Sequence, residues 1–177
     1  LYHRSLKICI TIAAAGHQVT MIVGGPDIGE DMVDSLSFCK LAPLKMNETF
    51  QSLEPCDHDL ALDQVQCMRQ KRLLEFVGSY TPDCLIIELY PFGRKAFRFE
   101  LEPLLEMLRS SRSGCSVFCS LRDILVEKVQ GLEKFEQRAV ETLNRYFDGL
   151  LIHADPKLIR LEQTFGRIDE IEVPIHY

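Results

Sequence analysis

The sequence predicts an α/β domain in which a parallel sheet is flanked by helices. Three observations predict it. Short, unbroken apolar runs such as Cys84–Glu88 and Gly149–His153 have the length and hydrophobicity of strands buried on both faces. Between them lie longer stretches with apolar residues at helical spacing. The two kinds alternate along the chain, the pattern of parallel strands joined by helical crossovers. With 177 residues, 46% hydrophobic and 26% charged, the chain has material for one ordinary core, and 1–177 reads as a single domain.

The elements follow in order. Leu6, Cys9, Ile10 and Ala13 mark a first helix that ends in a Gly16 cap. Residues 19–23 form a buried strand closed by Gly24-Gly25-Pro26. Residues 27–34 are acidic and loop-like, and 38–41 form a short strand before Pro43. Residues 44–59 lack a period and read as a long loop. Leu62, Val65, Met68, Leu73, Phe76 and Val77 mark a helix stopped by Thr81-Pro82-Asp83, and the strand Cys84–Glu88 follows. A helix starting near Pro103 buries Leu104, Leu105 and Leu108, since proline suits a first turn. Residues 115–120 are a strand, and Leu132, Phe135, Ala139, Leu143 and Tyr146 mark a helix before the strand Gly149–His153. Asp155-Pro156 reads as a cap and first turn for a short helix over 157–163, and 168–173 is a last strand. The series begins on a helix, whereas the first strand of a doubly wound sheet normally lies at its centre, followed by a ligand loop. The expectation is a Rossmann-like domain whose first strand and loop precede Leu1; the alternative is a shorter sheet.

Composition narrows the function. The net charge is −6, from 20 Lys+Arg against 26 Asp+Glu, and no basic tract interleaves with aromatics, which argues against nucleic acid as a partner. Apolar runs are too short to span a bilayer. The seven cysteines are odd in number and form no C-x-x-C, so they read mostly as small buried hydrophobes in a cytoplasmic protein. Cys115 and Cys119, four apart on a strand, stand about 13 Å apart, too far for a disulfide. Cys56-Asp57-His58-Asp59 offers metal-capable groups but precedes a helix, so capping is the better reading and no metal is expected.

Ligands of open α/β sheets bind outside the carboxyl ends of the strands. The residues that follow the strands are therefore the candidates: Gly24 and Gly25; Glu88 with Gly93 and Arg94; Arg122 and Asp123; His153. Glu88 ends an apolar strand and needs a partner, for which Arg94, Arg98 and Arg122 are available. It reads either as a site carboxylate or as a structural ion pair. Gly93 permits a tight turn or a close backbone approach. Arg122 suits a phosphate or carboxylate, or pairs with Glu88 or Glu100, while Asp123 reads equally as a cap. His153 is a candidate base or donor, or a structural histidine. His3 and Arg4 stand at the front of the first helix, where anions are favoured.

Several blocks carry a resemblance. Ala14-Ala-Gly-His-Gln-Val-Thr20 running into Gly24-Gly25-Pro26 resembles the start of a GT-B glycosyltransferase. So do Ile87-Glu-Leu-Tyr-Pro-Phe-Gly-Arg-Lys95 with Arg98-Phe-Glu-Leu101, Ser120-Leu-Arg-Asp-Ile-Leu-Val126, and Tyr146-Phe-Asp with His153-Ala-Asp-Pro156. Together they are similar to a bacterial group of glycosyltransferases related to the UDP-N-acetylglucosamine transferase of the peptidoglycan lipid precursor. The resemblance implies two Rossmann-like halves around a cleft. This chain matches the N-terminal, acceptor-side half; the nucleotide-sugar donor would bind a second half absent from it, so the chain alone would be inactive. It implies sugar transfer from a nucleotide diphosphate to a hydroxyl on a small-molecule or lipid-linked acceptor, with no cofactor or metal and with possible peripheral membrane contact. Glu88 and His153 would contact the acceptor, and Arg94, Arg122 and Asp123 would line the cleft. The family's Gly-His loop, with its candidate base, is not matched, and the glycine pattern that would let His3 stand in for it is absent. The other readings are half of a nucleotide-sugar epimerase and a non-catalytic α/β binding domain.

Overall fold

The structure, a computed structural model, describes residues 2–26, 35–49, 52–111, 113–122 and 131–177. It is a mixed α/β, Rossmann-like protein whose described residues fall into two compact units, Leu1–Tyr80 and Thr81–Tyr177.

The first unit opens with α1 (Tyr2–Ala14), which ends where Gly16 takes φ +93°, a left-handed turn that glycine makes at little steric cost. Strand β1 (Thr20–Val23) pairs in parallel with β2 (Ser37–Lys40). The expected acidic loop over 27–34 lies outside the described residues. The stretch expected to be one long loop instead holds an antiparallel pair, β3 (Leu44–Met46) and β4 (Leu53–Pro55). Three residues per strand are too few to show a period of two, and only the buried Leu44 and Leu53 anchor the pair.

Helix α2 (Leu62–Tyr80) closes this unit and buries Val65, Arg69, Leu73 and Val77, one row at four-residue spacing. Met68, expected in the core, is 52% exposed, because an arginine one position later occupies the inward row. The start of α2 is not capped by Asp57 or Asp59. Asp57 Oδ1 accepts the Asp59 N–H at 3.0 Å in a local turn, and Gln64 Oε1 reaches back to the Ala61 N–H at 3.1 Å.

The second unit is a four-stranded parallel sheet in the order β5 (Cys84–Glu88), β6 (Ser116–Arg122), β7 (Gly149–His153) and β8 (Ile175–His176). Helix α3 (Arg98–Ser110) links β5 to β6, and α4 (Leu132–Tyr146) lies between β6 and β7. Right-handed crossovers running one way along a sheet put their helices on the same face. Accordingly Ile87, Val117, Cys119, Leu121, Leu150 and Ile152 form one buried face. Leu105 and Leu143 are buried on the helix side, each contributing about 1.5–3 kcal/mol by leaving water. The other face carries Ile86, Phe118 and Leu151 and is more open, with Ile86 39% exposed.

Three expectations change here. Helix α3 starts at Arg98, five residues before Pro103, which sits inside it. Pro103 stands in the second turn, where it has no N–H to give the Phe99 carbonyl, and a 3₁₀ turn over Lys95–Phe97 leads into the helix. The helix expected over 157–163 is a turn at 156–158 and a 3₁₀ turn, Leu161–Gln163. Asp155 does cap, accepting the Lys157 N–H at 2.9 Å, but what it caps is a turn. The last strand is Ile175–His176, preceded by a 3₁₀ turn at Ile168–Glu170. All seven cysteines are free thiols; three, Cys39, Cys115 and Cys119, are buried, fewer than expected.

Candidate functional site

The site is built by register. Glu88 lies directly opposite Ser120 across β5 and β6, and Arg122 lies opposite His153 across β6 and β7. Alternation along a strand then puts Glu88, Ser120, Arg122 and His153 on one face, at the carboxyl ends of three neighbouring strands. Parallel pairing brings equivalent strand ends together, so polar residues that end three separate apolar runs converge.

Three of these side chains meet. Ser120 Oγ stands 2.9 Å from His153 Nε2 and 3.3 Å from Glu88 Oε2. Ser120 is 1% exposed, Glu88 half-buried and His153 exposed, so the cluster runs from the sheet interior toward solvent. A buried hydroxyl without a partner would be costly, and here it has two. Beneath them Cys119 is fully buried; burial, and then the charge of Glu88, push its thiol pKa far above the ordinary value. That sulfur is therefore a packing group, not a nucleophile.

The loop after β5 frames the cluster. Its Leu89 N–H donates to the Ser120 carbonyl at 2.8 Å, and the Gly93 N–H donates to the Leu89 carbonyl at 2.8 Å. Leu89 (φ +66°) and Arg94 (φ +59°) are both left-handed, at roughly 1–2 kcal/mol each for a side-chain-bearing residue. Buried Tyr90 and Phe92 hold the loop down. The Tyr90 hydroxyl donates to Glu102 Oε1 at 3.1 Å, and Phe92 packs edge-on to Phe165 with ring centres 5.2 Å apart. Burial and the neighbouring Glu102 raise the Tyr90 pKa, so it stays a neutral donor. Arg98, a possible partner for Glu88, binds Glu102 instead, at 2.8 Å from Nε.

The remaining candidates are placed as follows. Arg94 is exposed, with its guanidinium 5.7 Å from the Phe97 ring centre. Arg122 is exposed at the end of β6, inside the strand and not in a loop after it. Asp123 lies outside the described residues. Gly24 and Gly25 belong to the first unit. Gly24 answers a steric demand: a Cβ there would lie 2.6 Å from Arg69 Nη2 and 2.8 Å from Cζ. Arg69 Nη1 donates to the Gly24 carbonyl at 2.8 Å and to the Ala42 carbonyl at 2.6 Å, tying the turn after β1 to the segment after β2. Gly25 has open space around its α-carbon.

Sequence reasoning did not single out Ser120 or Arg69. The available signal for Ser120 was its position as the polar residue closing an apolar run, matched to Glu88 on the previous strand. For Arg69 it was the four-residue row through Val65, Leu73 and Val77.

Away from this cluster, the helix layer carries an open groove of about 830 Å³ between α3 and α4, lined by Arg98, Glu102, Glu106, Glu141, Arg145 and Tyr146 among others. Its charges engage one another: Arg98 with Glu102, and Arg145 and the Tyr146 hydroxyl with Glu106. Among the described residues no group of three metal-capable side chains is close enough to hold an ion, and no helix is long and apolar enough to cross a membrane. No family model, curated protein or solved structure matches the chain.

Proposed function

We propose that this chain is the acceptor-side half of a GT-B glycosyltransferase, moving a sugar from a nucleotide diphosphate-sugar to an acceptor hydroxyl. The observation that carries the reading is the Glu88–Ser120–His153 cluster at the carboxyl edge of a parallel sheet. An attacking hydroxyl needs a group that accepts its proton, and a carboxylate and an imidazole are the common choices. The sequence blocks that resemble such enzymes contain all three residues.

In this reading His153, the exposed member, takes the acceptor proton, and Glu88 and Ser120 hold it. Arg94 and Arg122 face the cleft, where a guanidinium suits a phosphate. The donor belongs to a second Rossmann-like half, and helix ends and basic groups stabilise the leaving diphosphate without a metal. The proposed setting is the cytoplasm, with a small-molecule or lipid-linked acceptor.

The test uses the whole natural protein that contains this chain, offered a panel of nucleotide sugars with and without hydroxyl acceptors. Acceptor-dependent release of nucleoside diphosphate is expected. His153→Ala should lower kcat by about 100-fold or more with donor affinity unchanged. If no nucleotide sugar is bound or consumed, the proposal fails. Conversion of the sugar without an acceptor would assign the site to an epimerase.

A further inference from the structure

Ser120 has one hydroxyl proton and two neighbours that compete for it. Glu88 as a carboxylate only accepts, so the 3.3 Å contact is a hydrogen bond only if Ser120 donates. The Ser120 oxygen is then left to accept from the ring nitrogen 2.9 Å away. A charged acceptor draws a donor more strongly than a neutral one, which favours this order over the reverse.

We infer that Ser120 is a positioning residue that holds neutral His153 as its Nε2–H tautomer, making Nδ1 the ring's proton acceptor. The chain of donation runs His153 to Ser120 to Glu88, with the serine in the middle. This differs from a nucleophilic serine triad, in which the histidine lies between serine and acid. Ser120 here is buried at the centre of the sheet edge and relays orientation instead of attacking. Its bearing on catalysis rests on the transferase reading, in which Nδ1 is the nitrogen that takes the acceptor proton. The tautomer is argued from the two Ser120 contacts and does not depend on that reading.

The experiment is a long-range ¹H–¹⁵N correlation on this chain labelled with ¹⁵N-histidine, at a pH where the ring is neutral. His153→Gln identifies its signals among the five histidines. The wild-type ring should show a protonated Nε2 and an unprotonated Nδ1. Ser120→Ala should release the preference toward a mixture. Glu88→Ala should go further, since Ser120 can then donate to Nε2 and raise the Nδ1–H form. A wild-type ring protonated on Nδ1 overturns the inference, as does a tautomer that neither variant moves. If one variant does not fold, the other still decides, because only a shift on substitution separates the Ser120 contact from the ring's own preference for Nε2–H. An Nε2–H ring in a protein that consumes no nucleotide sugar would end the transferase reading and leave the tautomer standing; turnover with an Nδ1–H ring would do the opposite.

Discussion

Gly24→Ala is a conservative change on paper, and the structure makes it costly. The φ of Gly24 is not among the positive values, so alanine meets no backbone penalty; what it meets is the guanidinium of Arg69, 2.6 Å from Nη2. An exposed arginine would swing away. Arg69 is 3% exposed and donates to the Gly24 and Ala42 carbonyls, so moving it breaks at least one charge-assisted hydrogen bond in a buried place. Such a bond is worth roughly 1.5–3 kcal/mol, which sets the expected loss for Gly24→Ala. Arg69→Ala should cost about 2–4 kcal/mol, because both carbonyls lose a donor. On the Arg69→Ala background the new methyl enters vacated space. There Gly24→Ala should be neutral or stabilising by up to about 1 kcal/mol, through a less flexible unfolded chain. Urea unfolding of the wild type, both single variants and the double variant measures the cycle, with a coupling of about 2 kcal/mol expected. Additive losses, or a Gly24→Ala protein within about 0.5 kcal/mol of wild type, would refute the steric account.

Asp148 offers a second perturbation. Its Oδ2 accepts from Val117 N at 2.7 Å and from Arg109 Nη2 at 2.9 Å; since that ion pair is partly exposed, Asp148→Ala should lose about 1–3 kcal/mol through the unsatisfied amide and Asp148→Asn much less, read by denaturant midpoint. Cys119 sets a pH limit. Its folded pKa is raised above the ordinary 9.0 mainly by burial, so its stabilising contribution is whole below pH 9 and is lost as pH climbs from there. Unfolding midpoints followed from pH 8 to 11 should fall more in the wild type than in Cys119→Ala, and equal slopes would count against the assignment. In alkylation with mass-spectrometric readout at neutral pH, exposed Cys67 should be modified well before Cys119.

The sequence showed the sheet more clearly than the rest, for a physical reason. Cys84–Glu88 and Gly149–His153 are strands inside a parallel sheet, and their unbroken apolar runs leave no competing reading once the chain alternates. Helix α4 was legible because its polar and apolar faces are cleanly divided. Helix α3 was legible in its body but not at its start, since Pro103 imitates a first-turn residue. The pair β3–β4 escaped notice because each strand has three residues and one buried leucine. At the site, Glu88 and His153 could be named because each ends a strand. Ser120 could not be connected to them, because a hydrogen bond between strands depends on register, which no single strand reveals. Arg69 was invisible for another reason: a buried arginine is defined by the carbonyls it finds, and Gly24 and Ala42 are distant from it in sequence.

Register is also what joins the stability of the second unit to its candidate chemistry. Sliding β5 by one residue against β6 would turn Glu88 to the opposite face and leave Ser120 without its carboxylate. A slip of β7 would do the same to His153. Hydrogen bonds at the far, amino ends of the strands oppose such slips. The Ser116 N–H donates to the Asp83 carbonyl at 2.9 Å, setting β6 against β5. Asp148 holds Val117 twice, its N–H donating to the Val117 carbonyl at 2.7 Å while its carboxylate accepts the Val117 N–H. Arg109, from the last turn of α3, clamps this junction by donating to the Asp148 carboxylate and to the Tyr146 carbonyl that ends α4. The strand beginnings are thus tied by backbone and by one ion pair, and the strand ends are left to carry side chains. Asp148 and Arg109 stand at the opposite end of the strands from the site. They nevertheless fix which residues face one another there, so the Glu88–Ser120–His153 geometry depends on them as much as on its own three hydrogen-bonding groups.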